Sequence, residues 1–429
     1  MTTLGYDADL GYEPVFQLED EALKCPYEHF RTARSSCPVS FSGALGFWVV
    51  SDHKHVLEVL KDTVTFSTKE MLGPQVAREW QMLIDKAAES PEAKQIIGAD
   101  YGSSPRKTLL FADPPAHTKH RKLITSALSP AAIKSWEERI TETAGHYVDT
   151  LAEKSAVEFV TDFATPYTMA VIADILGLDR ALVPRLLGWA EGFNSMVGNP
   201  NLTESELDAL VNVRLSFDMF FAELITERRA NPGADLISRV VVINDELDEP
   251  LTTDELLMVL QLTLVGGSDT SSTALAKMIE YLAAHPAQWE TMRADPKAIQ
   301  PFMDELLRTE SPVQGMFRAV TRDVELDGRQ MKAGDVVWVS LGSANRDPEV
   351  FPHPDDKDVT RKGTAGRFVA FGGGPHVCPG SPLTRMELRI VLEKLTGRFA
   401  GVALDGAAPP SKKSFLFFGP AHLPVTFHS

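Results

Sequence analysis

The stretch Phe371-Gly-Gly-Gly-Pro-His-Val-Cys-Pro-Gly-Ser-Pro-Leu-Thr-Arg385 constrains the chain most, because it sets one cysteine, Cys378, in a loop of defined shape ahead of a helix. Gly372, Gly373 and Gly374 permit positive φ and close backbone approach, while Pro375 and Pro379 stiffen the path. From Gly380 onward, Leu383, Met386, Leu388, Ile390, Val391 and Leu395 recur with helical period. The sulfur therefore faces a helix N-terminus, where partial positive charge and unpaired N–H groups favour a thiolate and hydrogen-bond it once a metal holds it. A structural zinc site gathers four Cys or His ligands at short spacings, which this stretch lacks. An iron held by one thiolate fits better. The alternative is an inert buried cysteine in a Gly-rich turn.

Two further stretches carry chemistry. A long helix is expected from Thr253 to about Ala284, with Thr252 or Thr253 as its cap and Asp254 and Glu255 in its first turn. Its interior holds Leu264-Val-Gly-Gly-Ser-Asp-Thr-Ser-Ser-Thr273, and each glycine there costs roughly 1 kcal/mol against alanine. Such a departure marks either function or a small-residue packing face. In the functional reading, Gly266 and Gly267 let a flat group lie against the helix. Thr270 bonds back to a carbonyl one turn earlier, opening the ladder for water or oxygen, and Asp269 beside it begins a proton relay. Upstream, Phe111-Ala-Asp-Pro-Pro-Ala-His-Thr-Lys-His-Arg121 places Asp113 as a helix cap with Pro114 and Pro115 in the first turn. His117 and Arg121 then stand i, i+4 and can grip one anion together, or else share a basic solvated face with Lys119 and Lys122. Glu305-Leu-Leu-Arg308 is an i, i+3 pair that by spacing alone says almost nothing.

The remaining elements follow from periodicity and breakers. Residues 21 to 36 and 53 to 60 read as helices, and Phe47 to Val50 as a buried strand. Between Met71 and Tyr101, with Trp80, Met82, Leu83 and Ile84 broken by Pro74, Pro91 and Gly98, a short helix between loops is expected. Residues 131 to 230 read as helices with breaks near Ser155, Gly177 to Asp179, and Gly198 to Pro200; Trp189, Phe193 and Met196 lie on the approach to the last. Met316 to Ala319, Asp323 to Gly328 and Val336 to Val339 read as strands and a turn. Asn201-Leu-Thr203 fits a glycosylation acceptor by chance, because no signal peptide precedes it.

Composition bounds the class of function. The net charge of −17 argues against non-specific binding to nucleic acid or anionic membrane. Besides Cys378 there are only Cys25 and Cys37, so a disulfide framework is not expected and a reducing, cytoplasmic location is. Neither a signal peptide nor a bilayer-spanning apolar run is present in the sequence. The 429 residues allow two or three average domains, although some families build one domain of this size.

The pattern Phe-Gly-x-Gly-x-His-x-Cys-x-Gly at 371–380 resembles the haem-binding loop of the cytochrome P-450 monooxygenases, with Thr384 standing where the family usually has alanine. The partner motifs fall in the expected order, so the resemblance covers the chain from the helix at 21 to the segment Phe415-Leu-Phe-Phe418, which looks like the family's terminal hairpin over the pocket. It implies a mainly α, single-domain cytochrome P-450 fold with small β-sheets over residues 1–429, with 1–20 as an N-terminal extension. It implies haem b, iron protoporphyrin IX, with Cys378 as iron ligand and Phe371, His376, Gly380, Gly266 and Gly267 around the cofactor. His117, Arg121, Arg318 and His376 would neutralise the propionates. Glu305, Arg308 and Arg361 would form a structural network, with Lys357 at a position usually aromatic and Phe368 at one commonly histidine. The segments 71–101 and 189–203 would cover the substrate pocket. The activity implied is insertion of one atom of O2 into a hydrophobic small molecule, with electrons from NAD(P)H through a ferredoxin reductase and ferredoxin. Asp269 and Thr270 would deliver protons, and Lys119, Lys122 and Arg389 would form a docking patch. A peroxide-driven peroxygenase would dispense with Asp269 and Thr270. A haem-based sensor would carry a signalling domain, for which no sequence is left over; a haem-based electron carrier is the other alternative.

Overall fold

Prolines decide where several helices begin. In the computed structural model, which describes residues 11–99, 101–102, 109–154, 156–195, 203–361, 363–406 and 410–428, Pro74 and Pro91 each occupy the first turn of a helix. The expected single short helix is therefore two, Pro74–Ala87 and Pro91–Ile97, because a proline's missing N–H costs nothing at that position. Ser90 caps the second by accepting from the Ala93 N–H. The helix expected over 21 to 36 is likewise divided into Asp20–Lys24 and Tyr27–Ser36. Cys25, forced out of the helical region before Pro26, makes the break.

The chain's contacts gather into two compact units. The first comprises residues 1–67, 144–165 and 270–429 and holds every described strand. These are β1 Val39–Ser42, β2 Phe47–Val50, β3 Phe66–Ser67, β4 Val157–Glu158, β5 Gly315–Val320, β6 Val324–Leu326, β7 Arg329–Met331, β8 Val336–Ser340, β9 Gly401–Leu404 and β10 Pro424–His428. The main sheet has the order β1-β2-β8-β5-β3, antiparallel except where β2 runs parallel to β8 with Trp48 opposite Val337. Val50, Val337 and Val339 face the helix His53–Lys61 through Val56, Val59 and Leu60, forming a core behind the cysteine loop. The pair β6 and β7 turns at Asp327 and Gly328, both at positive φ, as the Asp-Gly dipeptide favours.

Of the expected N-terminal extension, Tyr12 is fully buried, and Phe16 packs edge-on against Phe47 and Trp338. Phe415 joins that aromatic cluster at 4.9 Å from Phe16. The segment 411–420 is no regular hairpin but a loop with isolated bridges, Ser411 to Pro420 and Val313 to Phe417.

The second unit, residues 68–143 and 166–269, is helical. Its longest element lying wholly within it, Glu204–Ala230, starts at a capping box in which Thr203 and Glu206 satisfy each other's backbone N–H groups. Leu207 and Leu210 of that helix pack with Leu83 and Trp80. The break expected at Gly177 to Asp179 is present, with Gly177 at φ +68° and Asp179 capping the short turn Arg180–Leu182. The breaks near Ser155 and at 198–200, Met196, and Asn201 of the glycosylation pattern fall outside the described residues.

Candidate functional site

The cysteine loop is closed by its own backbone. Cys378 N–H donates to the Phe371 carbonyl at 2.8 Å, Gly372 N–H donates to the Val369 carbonyl at 2.8 Å, and a tight turn, Gly374–His376, lies between. Gly374 is required twice over: its φ is +63°, and a Cβ there would lie 2.2 Å from the Leu60 carbonyl oxygen. Gly380 caps the helix Ser381–Arg398, and a Cβ at Gly380 would stand 3.7 Å from Cys378 Sγ. The sulfur is thus held at the positive end of an 18-residue helix, partly exposed. Among the described residues no group of three or more His, Cys, Asp or Glu could hold a metal ion.

The long helix runs unbroken over Thr253–Ala284, with Thr252 and Glu255 forming the capping box. Gly266 is exposed and half-buried Leu262, Asp269 and Thr270 share its side of the helix, an open stripe at spacings of three and four. Nothing among the described residues lies within 4 Å of a Cβ built on Gly266, so the chain leaves that position open. Gly267 has a different duty from the one expected. A Cβ on it would meet Ile172 Cδ1 at 2.4 Å, and the neighbouring Ser268 carbonyl accepts from Thr168 Oγ1 at 3.2 Å. Gly267 is the close-packing face toward the helix Thr165–Ile175, while Gly266 alone opens space.

His117 and Arg121 lie on the helix Ala116–Ala127 of the second unit. Asp113 does not cap that helix by its side chain; its carboxylate accepts from the Thr68 N–H and hydroxyl at 3.0 and 3.2 Å. Pro114 and Pro115 precede the helix instead of filling its first turn. Burial, then Arg121 and His120, push the His117 pKa down, so His117 is a neutral hydrogen-bond donor more than a cation. Arg318 and His376 belong to the first unit. Arg318 is 2% exposed on β5 and donates to the Phe317 carbonyl at 2.8 Å. Of the basic residues expected to form a patch, Lys119 lies 3.7 Å from Glu249 and Arg389 2.9 Å from Glu393. Each already carries an acid neighbour.

Glu305 accepts from Arg308 Nε and Nη2, at 2.9 and 2.7 Å, and from Arg361 Nε at 3.1 Å. Arg308 also donates to the carbonyls of Asn345 and Pro354, and Arg361 to those of Pro352 and His353, which fixes the chain before the cysteine loop. Sequence reasoning missed the network beside it. Burial alone would raise the Glu310 pKa, but Lys277, Lys357 and Arg346 at 3.1, 2.7 and 3.5 Å hold it down to about 2. The aliphatic-looking spacing of Lys277 within the long helix hid it. Also missed was Arg385, which pairs with Asp304 while its guanidinium lies 5.5 and 5.3 Å from the Phe368 and Phe371 rings.

Glu387, on the cysteine helix, is 2% exposed, and burial pushes its pKa up to about 8. Its signal in the sequence was an acid on the apolar stripe of Leu383 and Val391. Because the folded state holds the proton more tightly than the unfolded chain, this group favours folding fully below the ordinary glutamate range near ~4.3. That advantage drains away as pH rises toward 8. Glu387→Gln should therefore flatten the fall in Tm between pH 6 and 9 that the parent protein shows; parallel Tm profiles for the two proteins would contradict the assignment.

Among the described residues no helix is long and apolar enough to cross a membrane. The family model for cytochrome P450 matches residues 72–421. Linalool 8-monooxygenase of Pseudomonas putida is 33% identical over 91% of this chain and 93% of its own. A steroid C26-monooxygenase of Mycolicibacterium smegmatis is 30% identical over 83% and 88%. The solved structure of cytochrome P450 CYP109Q5 from Chondromyces apiculatus superposes with a TM-score of 0.80 at 30% identity, covering 96% of this chain and 97% of that one. The chain belongs to the cytochrome P450 family, oxidoreductases whose cofactor is a thiolate-bound haem iron.

Proposed function

We propose that residues 1–429 act as one catalytic domain that inserts one oxygen atom from O2 into a hydrophobic small molecule, with electrons passed from NAD(P)H through a reductase and a ferredoxin. The observation that carries this reading is the rigid, backbone-closed loop that holds Cys378 at the start of its helix. Bound haem supplies the oxidising chemistry, and the thiolate favours O–O cleavage. Cys378 holds the iron, Gly266 clears the face of the macrocycle, and Arg318, His376, His117 and Arg121 supply donors and charge for the two propionates. Thr270 holds a water by its hydroxyl, and Asp269 exchanges protons with solvent to recharge it. Peroxide-driven chemistry would need neither residue. The relatives' names, a linalool and a steroid monooxygenase, support an apolar substrate of terpenoid or steroid size.

The test is turnover under labelled dioxygen, 18O2, with a surrogate reductase and ferredoxin, measuring label in product, NAD(P)H consumed and peroxide released. One 18O per product molecule is expected. Thr270→Ala should lower the product-to-NAD(P)H ratio several-fold and raise peroxide, whereas Asp269→Asn should slow consumption itself. Unlabelled product, or an unchanged ratio in Thr270→Ala, would overturn the monooxygenase reading or the relay respectively.

A further inference from the structure

One-electron reduction adds a negative charge to a thiolate-bound iron, so a fixed charge near the sulfur adds to or subtracts from its reduction potential. Arg385 brings such a charge. It stands in the second turn of the helix Ser381–Arg398 that Cys378 precedes, and its guanidinium lies 5.3 Å from the Phe371 ring centroid and 5.5 Å from that of Phe368. Both separations fall within the roughly 6 Å at which a cation is drawn to an aromatic face. Phe371 is also the residue whose carbonyl accepts the Cys378 N–H at 2.8 Å. The cation is therefore seated on the residue that holds the cysteine.

A carboxylate opposes it. Asp304, on the helix Ile299–Thr309, pairs with Arg385 and also accepts from Gln300 Nε2 at 3.2 Å. The arginine and aspartate side chains are 24% and 10% exposed, so water and salt screen them only in part. The ring side of the contact is fixed as well. Phe368 and Phe371 have their centroids 6.3 Å apart, and between them the Val369 N–H donates to Asn345 Oδ1 at 2.6 Å. Opposite charges held this close largely cancel at the sulfur, and removing either one uncovers the other.

We propose that Arg385 and Asp304 set the reduction potential of the haem iron as an opposed pair, the guanidinium raising it and the carboxylate lowering it. The balance between them fixes how readily the iron accepts its first electron from the donor protein. This rests on Cys378 as the iron ligand and adds to that reading the residues that tune it. From the second turn of the helix, a charge stands on the order of 10 Å from the sulfur, where in a partly buried setting it shifts an equilibrium about tenfold.

Redox titration of the haem-loaded protein, followed by its Soret band, provides the test. Arg385→Gln should make reduction about tenfold less favourable, ~59 mV for a one-electron couple, and Asp304→Asn about tenfold more favourable. Arg385→Lys, which keeps the charge, should stay close to the parent protein, and the double variant Arg385→Gln with Asp304→Asn should return to within about threefold of it. A role in packing alone predicts a shift of one sign in both single variants, because either change opens the loop to water. If the two single variants shift the same way, or if neither moves by more than about twofold, the proposal is overturned. Should Arg385→Gln fail to hold haem, the sign of the shift in Asp304→Asn decides. Parent-like potentials with the long-wavelength carbon-monoxide band intact would sink this proposal alone, whereas absence of that band in the parent protein would sink the haem-thiolate reading and the proposal with it.

Discussion

Replacing Cys378 with histidine should abolish the long-wavelength Soret band of the reduced carbon-monoxide complex and reduce product formation to background. The sulfur is the one thiolate donor in the loop, held by the Cys378 N–H bond to Phe371 and placed at the start of an 18-residue helix. That helix end stabilises a negative ligand and gives nothing to a neutral imidazole. Haem content, measured separately, should fall less than the band does, because Arg318 and the Gly266 face remain. A variant that keeps the thiolate band would refute Cys378 as the ligand.

Removing Arg308 should be the most damaging change outside the site. Its side chain is fully buried, engages both oxygens of Glu305, and caps the carbonyls of Asn345 and Pro354. Truncation to alanine strands a buried carboxylate with Arg361 as its remaining side-chain cation and leaves those carbonyls without a donor. Breaking a buried pair from one side costs about 3–5 kcal/mol, a large share of the stability of most proteins. Arg308→Ala should therefore yield little soluble haem-loaded protein, with a urea midpoint far below that of the parent. Arg308→Lys restores charge without the planar fork and should recover only part of it. If Arg308→Ala unfolds at the parental urea concentration, the network has no structural weight.

What could be read from residues alone was local and chemical. The cysteine loop is legible because glycine and proline act on their own backbone, and the long helix is legible because Thr252 and Glu255 announce its start and nothing interrupts it. Less legible were consequences of pieces meeting. Gly266 and Gly267 look identical in sequence, and only Ile172, some hundred residues away, separates opening a face from closing one. Asp113 reads as a cap until Thr68 claims its carboxylate. Pro74 and Pro91 read as breakers because a proline that ends one element and one that begins the next are the same letter. Lys357, Lys277 and Arg346 acquire meaning only through Glu310, which no spacing rule connects to them.

Arg308 and Arg361 grip the loop ahead of the cysteine by its main chain, addressing the carbonyls of Asn345, Pro352, His353, Pro354 and Asp356. A carbonyl is the same whatever residue bears it. Where a residue of this stretch is held only by its carbonyl, its letter can drift while its path stays fixed. Lys357, at a place the resemblance leads one to expect an aromatic ring, is such a drift put to use, since a side chain not needed for the loop's course was free to reach Glu310. Engineers seeking a tolerant position ahead of the cysteine loop would find it at such carbonyl-held residues, in a segment that looks irregular.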